Sequence, residues 1–155
     1  MSQTPPDLIA EATKRAGLIW IVIEGQDRPR PAWHVWRAGA AYVVTGTGEQ
    51  PLPGLAGAGR VSVIVAGGPA AGGRVEWTAA VGRVEPGSGE WDEVIGPLVA
   101  GRLNAVLAEE ETSPAQRWAR SGAVFRLAPV DGAPINTEAP NSRTLLSAAL
   151  PSVHP

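Results

Sequence analysis

The order of the predicted strands and helices is the feature that most limits how this chain can fold. Five short apolar segments with strand-like patterns come before the one long helical segment, and a sixth comes after it. A doubly wound parallel sheet requires strands and helices to alternate, and here they do not. The sequence therefore predicts a mainly β (α+β) fold, a small six-stranded antiparallel β-barrel with helices packed outside.

The six predicted strands are short apolar runs bounded by glycine, proline or polar residues. They span residues 18–23, 32–37, 40–45, 61–66, 75–84 and 123–128. The first is continuously apolar, which is typical of a strand buried on both faces. Ala38-Gly39 is expected to form the tight hairpin turn between the second and third strands. In the fifth strand the apolar alternation changes phase at Gly82, which indicates a β-bulge.

Three helices are predicted from apolar residues at helical spacing and from capping residues. They cover residues 4–16, 88–107 and 113–120. Pro97 lies inside the second and is expected to kink or split it. After residue 130 the chain is polar and proline-bearing, apart from three leucines between 145 and 150 that fit a small docked helix. We therefore expect one domain, residues 1–130, and a C-terminal tail, residues 131–155, that is partly disordered or docked.

Composition excludes several classes of function. The 155 residues include no cysteine, which removes disulfides, thiolate nucleophiles and zinc–cysteine or iron–sulfur sites. The net charge of −2 provides no basic surface for nucleic acid. No leader pattern or membrane-length apolar run is present in the sequence, so we expect a cytoplasmic protein that does not enter a membrane.

The segment Trp33-His34-Val35-Trp36 is the first candidate site. Strand side chains alternate, so Trp33 and Val35 share one face while His34 and Trp36 share the other. Two interpretations remain open. In the first, both tryptophans simply pack within the protein. In the second, one face of the strand is covered by a partner subunit or a planar ligand. His34 is a candidate proton-transfer residue, but with one other histidine in the chain no metal site is expected.

The loop after the third predicted strand is the second candidate site. Thr45, Gly46, Thr47 and Gln50 offer hydroxyls, backbone amides and a side-chain amide, which are suitable for a phosphate or ribityl cradle. A plain flexible turn fits the same composition, because the loop lacks the ending of a nucleotide P-loop. Arg60, Arg74 and Arg83 flank the fourth and fifth predicted strands, and one of them could meet an anion. No set of acids, bases and nucleophiles identifies a catalytic residue.

Taken in order, these features resemble the pyridoxamine 5′-phosphate oxidase-like, FMN-binding split-barrel family, in particular its short actinobacterial-type members. The resemblance covers about residues 10–129 and depends on the order of motifs more than on an invariant signature. The motifs are Gly17-Leu18-Ile19-Trp20, the hairpin from Trp33 to Thr45, Leu52-Pro53-Gly54-Leu55, Arg60-Val61-Ser62-Val63, the long strand 75–84, Trp91 and Arg102-Leu103-Asn104. It implies a six-stranded antiparallel split β-barrel.

The resemblance also implies a homodimer that binds FMN, or in other branches deazaflavin or haem, at the subunit interface. Residues 33–36 would then line the isoalloxazine ring, and residues 45–50 would approach the ribityl phosphate. Where flavin-binding members carry a basic residue, this chain has Pro51, preceded by Gln50. The strongest charge-assisted contact to phosphate is therefore missing. Either an arginine such as Arg60 substitutes, or the cofactor differs, or it has been lost.

Two functions follow from the resemblance. The first is a flavin-dependent oxidoreductase or flavin carrier in which the cofactor ring performs the redox step. The second is a cofactor-free or differently liganded dimer that uses the barrel as a small-molecule binding module. In the haem variant of the second, His34 would be the axial ligand.

Overall fold

The structure is a computed structural model, and it describes residues 5–46, 49–66, 73–105, 114–133 and 135–138. Within these residues the chain forms eight strands and three α-helices. They are α1 (Pro5–Arg15), β1 (Ile19–Val22), β2 (Arg30–Ala32), β3 (Val35–Arg37), β4 (Ala40–Gly46), β5 (Arg60–Ala66), β6 (Arg74–Val84), α2 (Gly89–Ala105), α3 (Pro114–Ser121), β7 (Gly122–Pro129) and β8 (Asn136–Glu138).

The strands form one antiparallel sheet, and its two edge strands follow each other directly along the chain. Seven strands follow the order β2-β1-β5-β6-β7-β4-β3, and β8 pairs with β6 beside this path. The first and last strands of the path, β2 and β3, are joined only by Trp33 and His34. The sheet therefore curls into a barrel that is split between β2 and β3, as the resemblance implied.

The number of strands differs from the six predicted. The predicted strand 32–37 is two strands, because the chain leaves the sheet at Trp33 and His34 and turns a corner there. β8 lies inside the segment predicted to be a tail, and it pairs with β6 from Arg74 to Glu76. Residues 139–155, which include the three leucines, lie outside the described residues.

The sheet carries a core on each face. The inner core is built from alternate residues of the strands and is closed by α1 through Ile9 and Ala12. The outer core lies between the other face of β4, β6 and β7 and the helices α2 and α3. β4 contributes to both cores, so its residues from Ala40 to Val44 are all buried. Helices thus pack against the barrel from outside, as predicted.

The predicted bulge at Gly82 is absent. β6 pairs with β7 in one continuous register from Ala79 opposite Pro129 to Val84 opposite Val124. The phase change has another cause, since the covered face of β6 changes along its length. Val81 packs against the inner core and Val84 belongs to the outer core. A change in the covering layer can therefore produce the same sequence pattern as a bulge.

Two further predictions are corrected by burial and helix geometry. β1 is buried on one face only, since Ile19 and Ile21 are fully covered while Leu18, just before the strand, is 48% exposed. α2 is not split, because it continues through Pro97 as one helix. Gly96 precedes that proline and has no Cβ to meet its ring, which reduces the usual steric conflict. The Ala38-Gly39 turn forms as predicted, with φ of 52° and 82° at its two central residues.

Candidate functional site

The corner where the barrel is split is held by a side chain instead of a strand. We call Trp33 and His34 the split corner. The Trp33 N–H donates to Gln50 Oε1 over 2.8 Å, and Gln50 Nε2 donates to the Trp33 carbonyl over 3.2 Å. Gln50 Nε2 also donates to the Val44 carbonyl over 2.9 Å. The primary amide of Gln50 therefore bonds as a peptide group of a neighbouring strand would, and it satisfies backbone groups that lack a strand partner.

The loop around Gln50 fastens three elements together. We call Glu49, Gln50 and Pro51 the latch loop. The Thr45 hydroxyl at the end of β4 donates to the Gln50 carbonyl over 2.8 Å. On the other side, the indole N–H of Trp118 in α3 donates to the Glu49 carboxylate over 2.9 Å. The latch loop thus joins β4, α3 and the split corner.

These contacts determine what the predicted phosphate cradle can offer. Both N–H groups of the Gln50 amide and the hydroxyl of Thr45 are donated to protein carbonyls. Pro51 has no N–H, and Glu49 adds a carboxylate to the same loop. Gly46 is exposed at the end of β4, and Thr47 lies outside the described residues. The two described side chains of this loop that were predicted to bind phosphate, Thr45 and Gln50, are therefore engaged within the protein.

His34 is tied to α1. Its Nε2–H donates to the Thr13 carbonyl over 2.7 Å, while Nδ1 is buried and has no hydrogen-bond partner among the described residues. Burial lowers the pKa of His34 below its ordinary value, because the charged imidazolium loses more from desolvation than the bond to Thr13 returns. The buried Thr13 hydroxyl accepts the indole N–H of Trp77 over 3.1 Å. One residue of α1 therefore anchors both the split corner and β6.

The residues of the Trp33–Trp36 segment divide between the two faces as predicted. Trp33 packs against Trp118 with ring centroids 6.4 Å apart, and Val35 packs against the outer core. Trp36 lies on the inner side, edge-on to Trp77 with ring centroids 6.2 Å apart. The chain itself covers the face that carries Trp33 and Val35, which is the simple packing interpretation. Trp36 remains half-buried.

Trp36 borders an open surface groove beside the exposed side of α1. The groove has a volume of about 490 Å³, and Trp36 lines it together with residues of α1, which are Asp7, Ala10, Glu11, Lys14 and Arg15. This volume falls within the range of small-molecule sites, about 300–1,000 Å³. An indole wall with charged groups along one rim is suited to a planar ligand that carries polar atoms at its edge.

Arg60 is not brought to this region. It is exposed at the start of β5, opposite Ala80 on β6, and has no ion pair among the described residues. Val61 beside it belongs to the inner core, so alternation places Arg60 on the outer face of the sheet, away from Trp36.

An ion-pair cluster on the outer face was not predicted from the sequence. Arg126 Nη1 donates to both carboxylate oxygens of Glu90, over 2.7 and 2.6 Å, and the Tyr42 hydroxyl donates to the same carboxylate over 2.8 Å. A Cβ at position 82 would collide with the Arg126 guanidinium, so glycine leaves room for it. Tyr42 and Gly82 both lie opposite Arg126 across the sheet, in one row. This row could not be predicted without knowing how β4, β7 and β6 pair.

The cluster shifts the pKa values of its members. Burial, together with the bond to the Glu90 carboxylate, raises the pKa of Tyr42 to about 12. Burial alone would raise the pKa of Glu90, but the hydrogen bonds from Arg126 and Tyr42 outweigh it and lower that pKa. The bond to Glu90 raises the pKa of Arg126. Near neutral pH, Glu90 and Arg126 therefore stay charged and Tyr42 stays neutral, and the cluster fastens α2 to β4 and β7.

Solved structures with the same architecture place the barrel in a known fold. The haem storage protein HutZ of Vibrio cholerae is 19% identical, with a TM-score of 0.57, and the match covers 88% of this chain and 96% of HutZ. A candidate pyridoxamine 5′-phosphate oxidase of Listeria innocua is 18% identical, with a TM-score of 0.55 and coverage of 86% and 98%. The chain has the split-barrel fold of the pyridoxamine 5′-phosphate oxidase-like proteins.

A third split-barrel structure, an FAD-binding protein of Mesorhizobium loti, is 12% identical, with a TM-score of 0.58 and coverage of 87% of this chain and 94% of that one. No family model matches the sequence, and no curated protein is similar to it. At these identities the split-barrel comparison establishes the fold alone. Within the described residues there is no group of three metal-binding side chains, and no helix there is long and apolar enough to span a membrane.

Proposed function

We propose that this split-barrel protein is a homodimer that binds a flavin-type cofactor, with the flavin ring in the groove between α1 and Trp36. The observation that carries the proposal is this groove of about 490 Å³ with a half-buried indole wall. Trp77 holds that indole edge-on, so its position is fixed before a ligand arrives. The FAD-binding relative supports the cofactor class, since it has the same fold.

As an oxidoreductase, the protein would take its redox chemistry from the ring, which transfers hydride or electrons when bound. The contribution of the chain would be to position the ring against Trp36 and shield one face from water. Lys14 and Arg15 at the rim are suited to meet the polar edge of the ring. The reaction partner is a small molecule that would approach the remaining open side.

The outward face of β1 supports the homodimer. Leu18 is 48% exposed, and Trp20 and Val22, which point the same way, are half-buried. None of these three side chains belongs to the inner or the outer core. Apolar side chains of this size on one strand face are typical of an interface between subunits. Light scattering should give the mass of a dimer, and Leu18→Lys should shift the protein toward the monomer. A monomeric wild-type protein would contradict the dimer.

Haem is the less suitable ligand. His34 is the histidine of the barrel, and its Nε2–H is already donated to Thr13 in α1. An axial bond from Nε2 would require this contact to break, and Nδ1 lies buried against the protein. Deazaflavin has a planar ring of the same kind as flavin and fits the groove by the same reasoning. The haem proposal predicts a Soret band that His34→Ala abolishes.

The direct test is the visible spectrum of purified protein before and after incubation with FMN and removal of the excess. Flavin bands that remain with the protein are the expected result. Trp36→Ala should weaken flavin binding about tenfold, the order of a lost aromatic stacking contact, while Trp36→Phe should retain most of it. Protein that shows only tryptophan absorbance and does not retain added flavin would refute the proposal.

The second candidate is a cofactor-free or differently liganded binding module. The observation that favours it is the latch loop, where Gln50 and Thr45 donate to protein carbonyls instead of standing free. In this case the dimer should form normally while neither FMN nor haem binds at any protein concentration tested.

A further inference from the structure

The phosphate of FMN and the flavin ring need different binding groups, and the residues present suit one of them and not the other. The groove beside Trp36 suits the ring. The latch loop, which contains Gln50 at the end of the predicted phosphate cradle, does not suit a phosphate. We propose that the chain recognises its flavin-type ligand through the ring and not through the 5′-phosphate, so that riboflavin and FMN bind with similar affinity. This inference rests on the proposed function.

The first step of the argument is the latch loop itself. A phosphate site needs free donors, and charged donors above all. The amide of Gln50 has two N–H groups, and both are donated, to the Trp33 and Val44 carbonyls. The hydroxyl of Thr45 is donated to the Gln50 carbonyl. Releasing Gln50 for a phosphate would leave the backbone of the split corner without its partner.

The second step is charge. Glu49 places a carboxylate in the latch loop, held there by the Trp118 indole, and it would repel a phosphate dianion. The groove is lined by two acids, Asp7 and Glu11, and two bases, Lys14 and Arg15, so its side chains carry no net charge. Neither region therefore concentrates a dianion by its field.

The third step concerns Arg60, the arginine named as a possible replacement for the missing basic residue. Arg60 has no ion pair among the described residues, but it does not line the groove beside Trp36. Arg60 is thus unsuited to replace the charge that Pro51 lacks.

The test compares flavins with and without the phosphate. FMN and riboflavin are titrated into the full-length protein, and the quenching of flavin fluorescence gives each dissociation constant. The inference predicts constants within about threefold of each other, whereas a charge-assisted contact to the phosphate would favour FMN about tenfold or more. Inorganic phosphate at high concentration should displace neither flavin.

A gain-of-contact variant sharpens the comparison. Pro51 is exposed and takes no part in the contacts of Gln50, so Pro51→Lys adds a cation beside the latch loop without breaking it. It should tighten FMN several-fold and leave riboflavin unchanged. Thr137→Lys, which adds the same charge at an exposed position of β8, is the matched control and should change neither.

The outcomes separate the two proposals. Similar affinities for both flavins support the inference. FMN that binds at least tenfold more tightly than riboflavin, and is displaced by inorganic phosphate, overturns the inference and leaves the proposed function intact. Absence of quenching with either flavin overturns the proposed function and the inference together. A titration with lumichrome, which is the ring without its ribityl chain, then shows whether the ring contact or the chain contact has failed.

Discussion

Replacing Gln50 by alanine should loosen the barrel at its split corner. The substitution removes three hydrogen bonds, to the Trp33 N–H, the Trp33 carbonyl and the Val44 carbonyl. At about 0.5–1.5 kcal/mol each, their loss should lower the free energy of unfolding by about 3 kcal/mol. The value is the middle of the summed range of about 1.5–4.5 kcal/mol, and it stays clear of the lower end because the three backbone groups are partly buried and β2 and β3 offer them no alternative partner.

The assay is urea denaturation followed by tryptophan fluorescence, with the midpoint and the slope fitted separately. Thr45→Val is the matched control, because it removes one hydrogen bond to the same loop and should cost only about 1 kcal/mol. Gln50→Glu keeps the acceptor for the Trp33 N–H but, when ionised, donates nothing to either carbonyl. It should therefore be about as unstable as the alanine variant at pH 8. A loss below about 0.5 kcal/mol for Gln50→Ala would refute the role assigned to this amide.

Three other perturbations test separate parts of the fold. Gly82→Ala should cost about 1–3 kcal/mol, because a Cβ there displaces the Arg126 guanidinium; an unchanged melting temperature would contradict this. Ala38→Asn should stabilise the protein by about 0.5–1 kcal/mol, since alanine holds a φ of 52° in a turn that prefers Asn-Gly; a lower urea midpoint would count against it. The pKa of His34 is lowered on folding, so the unfolded state binds the proton more readily. Stability should be complete above the ordinary value of 6.5 and fall as the pH drops below it. His34→Gln should remove that part of the pH dependence, and an identical pH profile in the variant would show that His34 is not its source.

Most of the barrel could be predicted because its strands differ from their surroundings in local pattern. Alternation and continuous apolar runs located the main strands, and the paired positive φ values at Ala38 and Gly39 follow from a two-residue hairpin. The break at Trp33 could not be predicted, because its cause is a side chain 17 residues away. The same distance in sequence concealed the role of Gln50, which looked available for a ligand and is instead a partner for the backbone.

The pattern in β6 shows a second limit. Alternation in a strand reports which face is covered, and the covering layer of β6 changes from α1 and the inner core to α2 and the outer core near Gly82. A single sequence contains no sign of this change apart from the altered phase. The glycine itself reflects a neighbour, Arg126, which is brought beside it only by the pairing of β6 with β7.

The central claim is that a flavin ring binds beside Trp36 in this split barrel. Difference absorption spectra recorded while FMN or riboflavin is titrated into wild-type, Trp36→Ala and Trp36→Phe proteins test it most directly. We expect saturable perturbation of the flavin bands in the wild type and in Trp36→Phe, and binding weakened about tenfold in Trp36→Ala. Equal binding by all three proteins would remove Trp36 from the site, and unperturbed flavin spectra in the presence of wild-type protein would contradict the claim itself.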